Sequence, residues 1–522
     1  MVGLDHKITK SLNYDQAVQR ILIDINTDFI FSPHFKCIYK NAGKFLASKL
    51  NEELESGRFN FSLPLIMDVP KSSGLTRPGA ILYPKDRLLY QVLADNMAGE
   101  IENNIDRKHV FSNILTNDEN MFEPLGKCFH QFEASMIDKS EKYKYCIKTD
   151  VTSFFETIYQ HFVISQLDAL NIQKPMINLL EKALLAWRED KSYGLLQGMY
   201  PSDLYGNYYL TQIDYFLELK QFDFIRFVDD IYIFSNSDYE LRKILVEICN
   251  TLRQQSLYLN ESKTLFNTSK IICSQQMEFE ELFKEVTQML DSMKDNDRDN
   301  FFNNEYGFQR EWDEDEIQEV NINKIDGFRL DVVEELYAKK NTARYQKDAI
   351  IKFCLPLLTK ARSTIPLTTI KEDLHTYPYL TKFYSTYLAT IDKNNQMITS
   401  KIEEILIENQ FVFQYQQMWL FSALLYRSNL SSRVLKICAK YFLDKQTHEA
   451  IRAICAIILS KHGKGHDRKL IRDEYNNEPS VYVRSAILYC TTYLSSTERH
   501  ACKIAWGTNN VLNELVIEAM KE

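Results

Sequence analysis

Glycine and proline are scarce in this chain: 15 Gly and 12 Pro stand among 522 residues, about 5% together where roughly 12% is usual. That shortage excludes collagen-like and low-complexity classes, argues against a turn-rich sandwich, and favours long helices. No apolar run approaches the roughly 18 residues of a membrane-spanning helix, and the opening MVGLDHKITKSLNYDQ lacks the apolar centre of a secretory signal. A cytoplasmic protein without a membrane partner is expected. The ten cysteines are scattered without CxxC pairs or histidines at zinc spacing, a pattern of reduced, buried thiols rather than disulfides or a metal knuckle.

What is present is an ordinary globular balance, 45% hydrophobic and 25% charged, with length for two or three domains. The net charge of -9 is unevenly spread. Between Asp291 and Val320 eleven acids face three bases, so the remainder is close to neutral and a nucleic-acid partner stays open. Residues 1–70 read as a helical extension. The Gly/Pro-punctuated KSSGLTRPGAILYPKDR reads as strand and turn before a helix from Arg87 to Ile101, and from Lys144 to Thr264 short β-branched and aromatic runs alternate with helices. The expected division is 1–70, a mixed α+β region 71–290, an acidic linker 291–320, and an all-α region 321–522. Near the C-terminus, segments around Val434, Ala450 and Val483 repeat one helical pattern, and EPSVYVRSAILYC resembles half of a HEAT-type repeat. The dense WLFSALLY, residues 419–426, reads as core.

The strongest local signal is FDFIRFVDDIYIF, residues 222–234, two β-rich runs separated by Asp229 and Asp230. This is a hairpin with carboxylates at its tip. A purely structural turn is better served by Asn-Gly, whereas a divalent cation relieves the crowded charge. In KYCIKTDVTSFFETIY a short strand ends at Asp150 before the Phe154-Phe155 pair begins a helix. Hard oxygen ligands on separate strand ends are the arrangement that holds a pair of Mg²⁺ ions, so three convergent carboxylates are expected. Between these lies GLLQGMYPSDLYGNYYL, whose Gly194, Gln197 and Gly198 form a flexible loop ahead of a helix.

TDVTSFF, GLLQGMYPSDLYGNYYL and FVDD resemble, in order and spacing, reverse-transcriptase motifs A, B and C, with TRPGAILYPKDRLLYQ similar to the fingers motif and LYLNESKT to motif D. Leu196 stands where the family usually has Pro, and Phe227-Val228 replace the commoner Tyr-Ala. The resemblance implies a right-hand polymerase fold, with fingers and palm over 71–290, followed by a HEAT-like helical repeat domain. It implies a nucleotidyltransferase using Mg²⁺ or Mn²⁺, with metal held by Asp150, Asp229, Asp230 and the carbonyl of Val151. Phe155 matches the steric-gate position that favours dNTPs, Gln197 and Gly198 line the nucleotide, Arg77, Lys85 and Arg87 meet the triphosphate, and Lys263 matches the proton donor to pyrophosphate. Arg226 either contacts the primer end or pairs with an acid.

Roughly 200 helical residues after the catalytic part make the whole similar to abortive-infection (AbiK-like) and related defence-associated reverse transcriptases of bacteria. Within that group the resemblance implies antiphage defence, a homo-oligomer of three or six subunits, and DNA synthesis primed by a protein tyrosine without a conventional template. Tyr14 and Tyr39 are convenient priming candidates. Three alternatives stay open: synthesis templated by a small noncoding RNA, a catalytically silent scaffold binding protein or RNA through its helices, and a metal-free hydrolase with the paired carboxylates as acid and base.

Overall fold

The computed structural model describes residues 3–116, 119–274, 330–340, 347–408, 411–507 and 509–521. Six strands are assigned: β1 (Leu65–Pro70), β2 (Thr76–Ile81), β3 (Tyr145–Thr149), β4 (Asp223–Phe227), β5 (Asp230–Ser235) and β6 (Leu265–Thr268). The chain divides into two compact units that interleave along the sequence. One comprises Met1–Thr27, Lys49–Pro64 and Lys85–Tyr306, the other Asp28–Ser48, Leu65–Pro84 and Gly307–Glu522. Residues 28–48 and 65–84 thus pack with the C-terminal helices rather than with their neighbours in sequence. The acidic linker 291–320 lies outside the described residues.

In the first unit β3 to β6 form an antiparallel sheet in the order β4-β5-β3-β6. β4 and β5 are buried almost from end to end, which is why they read as continuous apolar runs rather than alternating ones. Cys128, Phe132 and Met136 of the helix Leu125–Lys142 pack against Cys146, Phe227, Tyr232 and Phe234 of the sheet. The register sets Thr149 opposite Ile231 and Phe227 opposite Asp230. The end of β3 therefore lies beside the β4–β5 turn.

In the second unit the β1–β2 hairpin packs on the helix Gln414–Leu425, and His448 Nε2 lies 3.0 Å from the carbonyl oxygen of Ile66. A Cβ at Gly79 would fall 2.5 Å from Val69 and 2.7 Å from Phe29, so only glycine fits that strand position. Alternate helices, Lys347–Lys360, Thr381–Thr390, Gln414–Leu425, Glu449–His462, Val481–Tyr489 and Val511–Ala519, each contact the next in the series. Gln414–Leu425 and Glu449–His462 are buried on nearly every side, as helices flanked by others must be. The WLFSALLY stretch is core, Trp419 to Leu425 being buried throughout. The ten cysteines are free thiols, eight of them buried. No helix among the described residues is long and apolar enough to cross a membrane.

Candidate active site

The β4–β5 connection is a two-residue turn, Val228-Asp229, with Asp230 already paired to Phe227. Sequence reasoning put both aspartates at the tip; the tip holds only the first. Asp150 follows β3 and is 4% exposed. The carboxyls of Asp150 and Asp229 come within hydrogen-bonding reach of each other. Burial, then the charges of Asp150 and Asp230, push the Asp229 carboxyl well above the usual carboxylate range. Asp230 is raised by burial, opposed by the charge of Lys148. Asp150 and Asp230 thus both act on Asp229 through their charge; among the described residues no group of three or more His, Cys, Asp or Glu is gathered as a ready-made metal cage.

The segment after the helix Asp238–Gln254 closes over this strand end. Thr152 N donates to the Tyr258 carbonyl at 2.8 Å, and Asn260 N donates to the Asp150 carbonyl at 2.7 Å. These two bonds bracket a bridge between Val151 and Leu259. In such a non-hydrogen-bonded pair the Val151 carbonyl points away from its partner strand, leaving it to serve as a third oxygen donor. Two carboxylates that repel one another and a carbonyl fit a hard divalent cation. Thr149 and Thr264 meet hydroxyl to hydroxyl at 2.8 Å, and Lys263 forms an ion pair with Asp150 Oδ2. Burial lowers the Lys263 ammonium, but the hydrogen bond and charge of Asp150, with Asp230 and Asp229, outweigh it and hold the group protonated.

Phe155 is 8% exposed. Its ring sits against Gly206, where a Cβ would lie 2.8 Å from Phe155 Cε1. The loop carrying Gln197 and Gly198 is pinned to the same segment by Leu195 N to the Phe155 carbonyl and Gly194 N to the Ile158 carbonyl, both 2.8 Å. Gly194 and Gly198 have φ of 86° and 84°, which glycine adopts without cost.

Two basic residues assigned to the triphosphate are engaged elsewhere. Arg87 is buried and paired with Asp24, whose carboxylate also accepts the Tyr200 N–H at 3.0 Å. Lys85 Nζ donates to both carboxylate oxygens of Glu53, at 2.7 and 2.6 Å, and lies over the Phe59 ring. Their partners lie tens of residues away in the chain, which a local motif cannot reveal. Arg77 lies on β2, in the second unit, with its guanidinium 5.5 Å from the Phe29 ring. Of the priming candidates, Tyr39 is 3% exposed and the Tyr14 hydroxyl donates to Asn51 at 3.3 Å. Tyr258, within LYLNESKT, and Tyr193, immediately before GLLQGMYPSDLYGNYYL, are 59% and 47% exposed.

Arg226 is fully buried and pairs with an acid, as one of its two readings expected: Nε and Nη2 donate to Asp214 at 2.8 and 2.5 Å. The sequence reading missed Ser112, which carries no motif signal and reaches the hairpin from more than a hundred residues upstream.

Residues 69–294 match the family described as reverse transcriptase (RNA-dependent DNA polymerase). The chain therefore carries a reverse-transcriptase-like polymerase domain. It is 26% identical over 183 residues to the putative COX1/OXI3 intron 2 protein of Saccharomyces cerevisiae, covering 33% of this chain and 20% of that one. It is 26% identical over 182 residues to an uncharacterised 91 kDa protein in the cob intron of Schizosaccharomyces pombe, covering 34% of this chain and 21% of that one. The chain thus spans about a fifth of the length of these curated relatives. A structure of telomerase from Candida albicans with a fragment of telomeric RNA aligns over 76% of this chain and 66% of that one, at 10% identity and a TM-score of 0.31. For telomerase from Candida tropicalis the values are 74%, 66%, 12% and 0.32.

Proposed function

We propose that the protein is a DNA polymerase of the reverse-transcriptase type, adding dNTPs by two-metal catalysis, in a bacterial antiphage system. The observation that carries the polymerase reading is the meeting of Asp150 and Asp229 from two strand ends, with mutual repulsion that a divalent cation relieves. Mg²⁺ or Mn²⁺, when bound by these carboxylates and the Val151 carbonyl, supplies activation of the attacking hydroxyl and neutralisation of the leaving pyrophosphate. The remaining work falls to the chain. Lys263, protonated and 61% exposed, gives a proton to departing pyrophosphate. The Phe155 ring, seated on Gly206, excludes a ribose 2′-hydroxyl, and Gln197 and Gly198 border the nucleotide.

The defence role is supported by the order of parts: the five motifs followed by a stacked helical region, the arrangement of the abortive-infection enzymes the sequence resembles. On the same resemblance the active form is a homo-oligomer, primed by one of its own tyrosines or copying an RNA. Purified protein incubated with Mg²⁺ and labelled dNTPs, with and without RNA, beside an Asp229→Ala, Asp230→Ala control, tests the chemistry. Label retained on the protein until proteolysis, and absent from the control, marks protein-primed synthesis. Incorporation only with RNA marks a templated enzyme, and no incorporation under any condition sinks the polymerase reading in favour of a scaffold. Phage plating on bacteria expressing the protein tests the defence role, with protection expected from the unaltered chain and none from Asp150→Asn.

A further inference from the structure

Val228 has φ of 55°, in the left-handed region where a β-branched residue is a genuine outlier. It occupies the first central position of a two-residue hairpin, with Asp229 at the second and no positive φ there; this is the place where glycine is preferred. Strain of this kind persists only where the surroundings over-determine it. Here they do so at both polar groups of the residue. Val228 N donates to Ser112 Oγ at 2.8 Å, and the Val228 carbonyl accepts from Arg226 Nη1 at 2.8 Å.

Both clamping groups are themselves fixed. Arg226 uses all five of its donors: the two to Asp214, one to Val228, and two to Asn207, at 2.8 Å to Oδ1 and 3.2 Å to the carbonyl. Asn207 Nδ2 returns a bond to the Ser112 carbonyl at 3.1 Å, and Ser112 Oγ donates to Asn207 Oδ1 at 3.4 Å. The main chain locks the same segment, Arg226 N to the His109 carbonyl at 2.8 Å and Phe111 N to the Arg226 carbonyl at 3.1 Å. Ser112, Arg226 and Asn207 are at most 1% exposed.

We infer that Ser112 and Arg226 are positioning residues that hold the Val228 turn in its strained form and so aim Asp229 at Asp150. The inference rests on the polymerase reading for its functional consequence, though the clamp stands on geometry alone. Both act on Asp229 through the main chain of Val228. A turn released from its clamp relaxes toward negative φ and swings the Asp229 carboxyl off its partner.

Ser112→Ala removes the bond from Val228 N and the long one to Asn207 Oδ1, leaves the main-chain locks in place, and is expected to fold. It should lower kcat for dNTP incorporation about tenfold, equivalent to about 1.4 kcal/mol, with KM for dNTP changed less than about twofold, and should raise deuterium uptake in peptides spanning the turn. Adding Val228→Gly, which adopts positive φ without a clamp, should restore most of the rate; a merely structural role for Ser112 would not be rescued this way. Arg226→Lys, which keeps charge opposite Asp214 but loses the fork, should act in the same direction. A wild-type rate in Ser112→Ala overturns the inference, and so does a slow Ser112→Ala enzyme that Val228→Gly fails to rescue. If the unaltered protein incorporates nothing under any condition, the polymerase reading fails; turn exchange then judges the clamp by itself, faster in Ser112→Ala if it holds and unchanged if it does not.

Discussion

Asp86 should make the protein lose stability as pH rises, and Asp86→Asn should abolish that loss. The residue lies in the first turn of the helix Pro84–Glu102 and is 0% exposed. Its Oδ1 accepts Trp187 Nε1 at 2.8 Å and Ser62 N at 3.1 Å, while Oδ2 is buried without a hydrogen-bond partner. Burial pushes the carboxyl from 3.8 up to about 6, against the hydrogen bonds of Trp187 and Ser62 and the charge of Lys85. Below pH 3.8 the group is neutral in both folded and unfolded chains and costs nothing. As pH rises toward 6 the unfolded chain ionises first, so the fold loses about 3 kcal/mol over the whole window, roughly half of it between pH 5 and 8. The asparagine variant keeps an oxygen for Trp187 and Ser62, and any fixed cost of its amide is independent of pH. Urea unfolding followed by tryptophan fluorescence at pH 5, 6, 7 and 8 gives the comparison. The variant should gain on the wild type by about 1.5 kcal/mol from pH 5 to 8; parallel curves would refute the reasoning.

Three further outcomes follow from the site and the helical unit. Asp229→Asn should reduce nucleotide incorporation by on the order of 10² to 10³ without lowering the melting temperature, since it removes like-charge crowding with Asp150, and EDTA should silence the wild type as fully. Gly206→Ala places a methyl 2.8 Å from the Phe155 ring and should shift the ratio of dNTP to rNTP incorporation severalfold; an unchanged ratio, measured in competition, would remove Phe155 from the nucleotide site. Arg427 is 2% exposed and donates to the carbonyls of Leu388, Ile391, Asp392 and Asn395 and to Thr399 Oγ1. Its replacement by alanine strands those acceptors and should cost at least about 3 kcal/mol in chemical denaturation.

The features legible in the sequence are those whose cause is local. Asp150 and Asp229 were recognisable because strand ends are written in β-branched and aromatic runs, and Lys263 because its segment follows at a recognisable spacing. The apolar spacing of the C-terminal helices likewise depends only on neighbours three and four residues away. What was not legible depends on distant partners. Arg87 has the look of a phosphate ligand until Asp24 is placed against it, and Lys85 until Glu53 is. Nothing in the local pattern around Ser112 marks it, because its purpose is supplied by Val228. Nor could any window of sequence assign residues 28–48 and 65–84 to the unit of the C-terminal helices, since the pairings of Phe29 with Trp419 and of Ile66 with His448 each span more than 350 residues.

That long pairing sets a timetable for synthesis. A chain grows at about 5–20 residues per second, so the β1–β2 hairpin leaves the ribosome tens of seconds before Gln414–Leu425 and His448, on which it rests, have been made. A lone two-stranded hairpin is marginal in water. Through that interval the nascent chain must carry β1 uncovered, with Met67 and Val69, buried in the finished fold, open to water, which makes this hairpin the place where a slowed ribosome or a premature stop would expose the protein to aggregation or to chaperones.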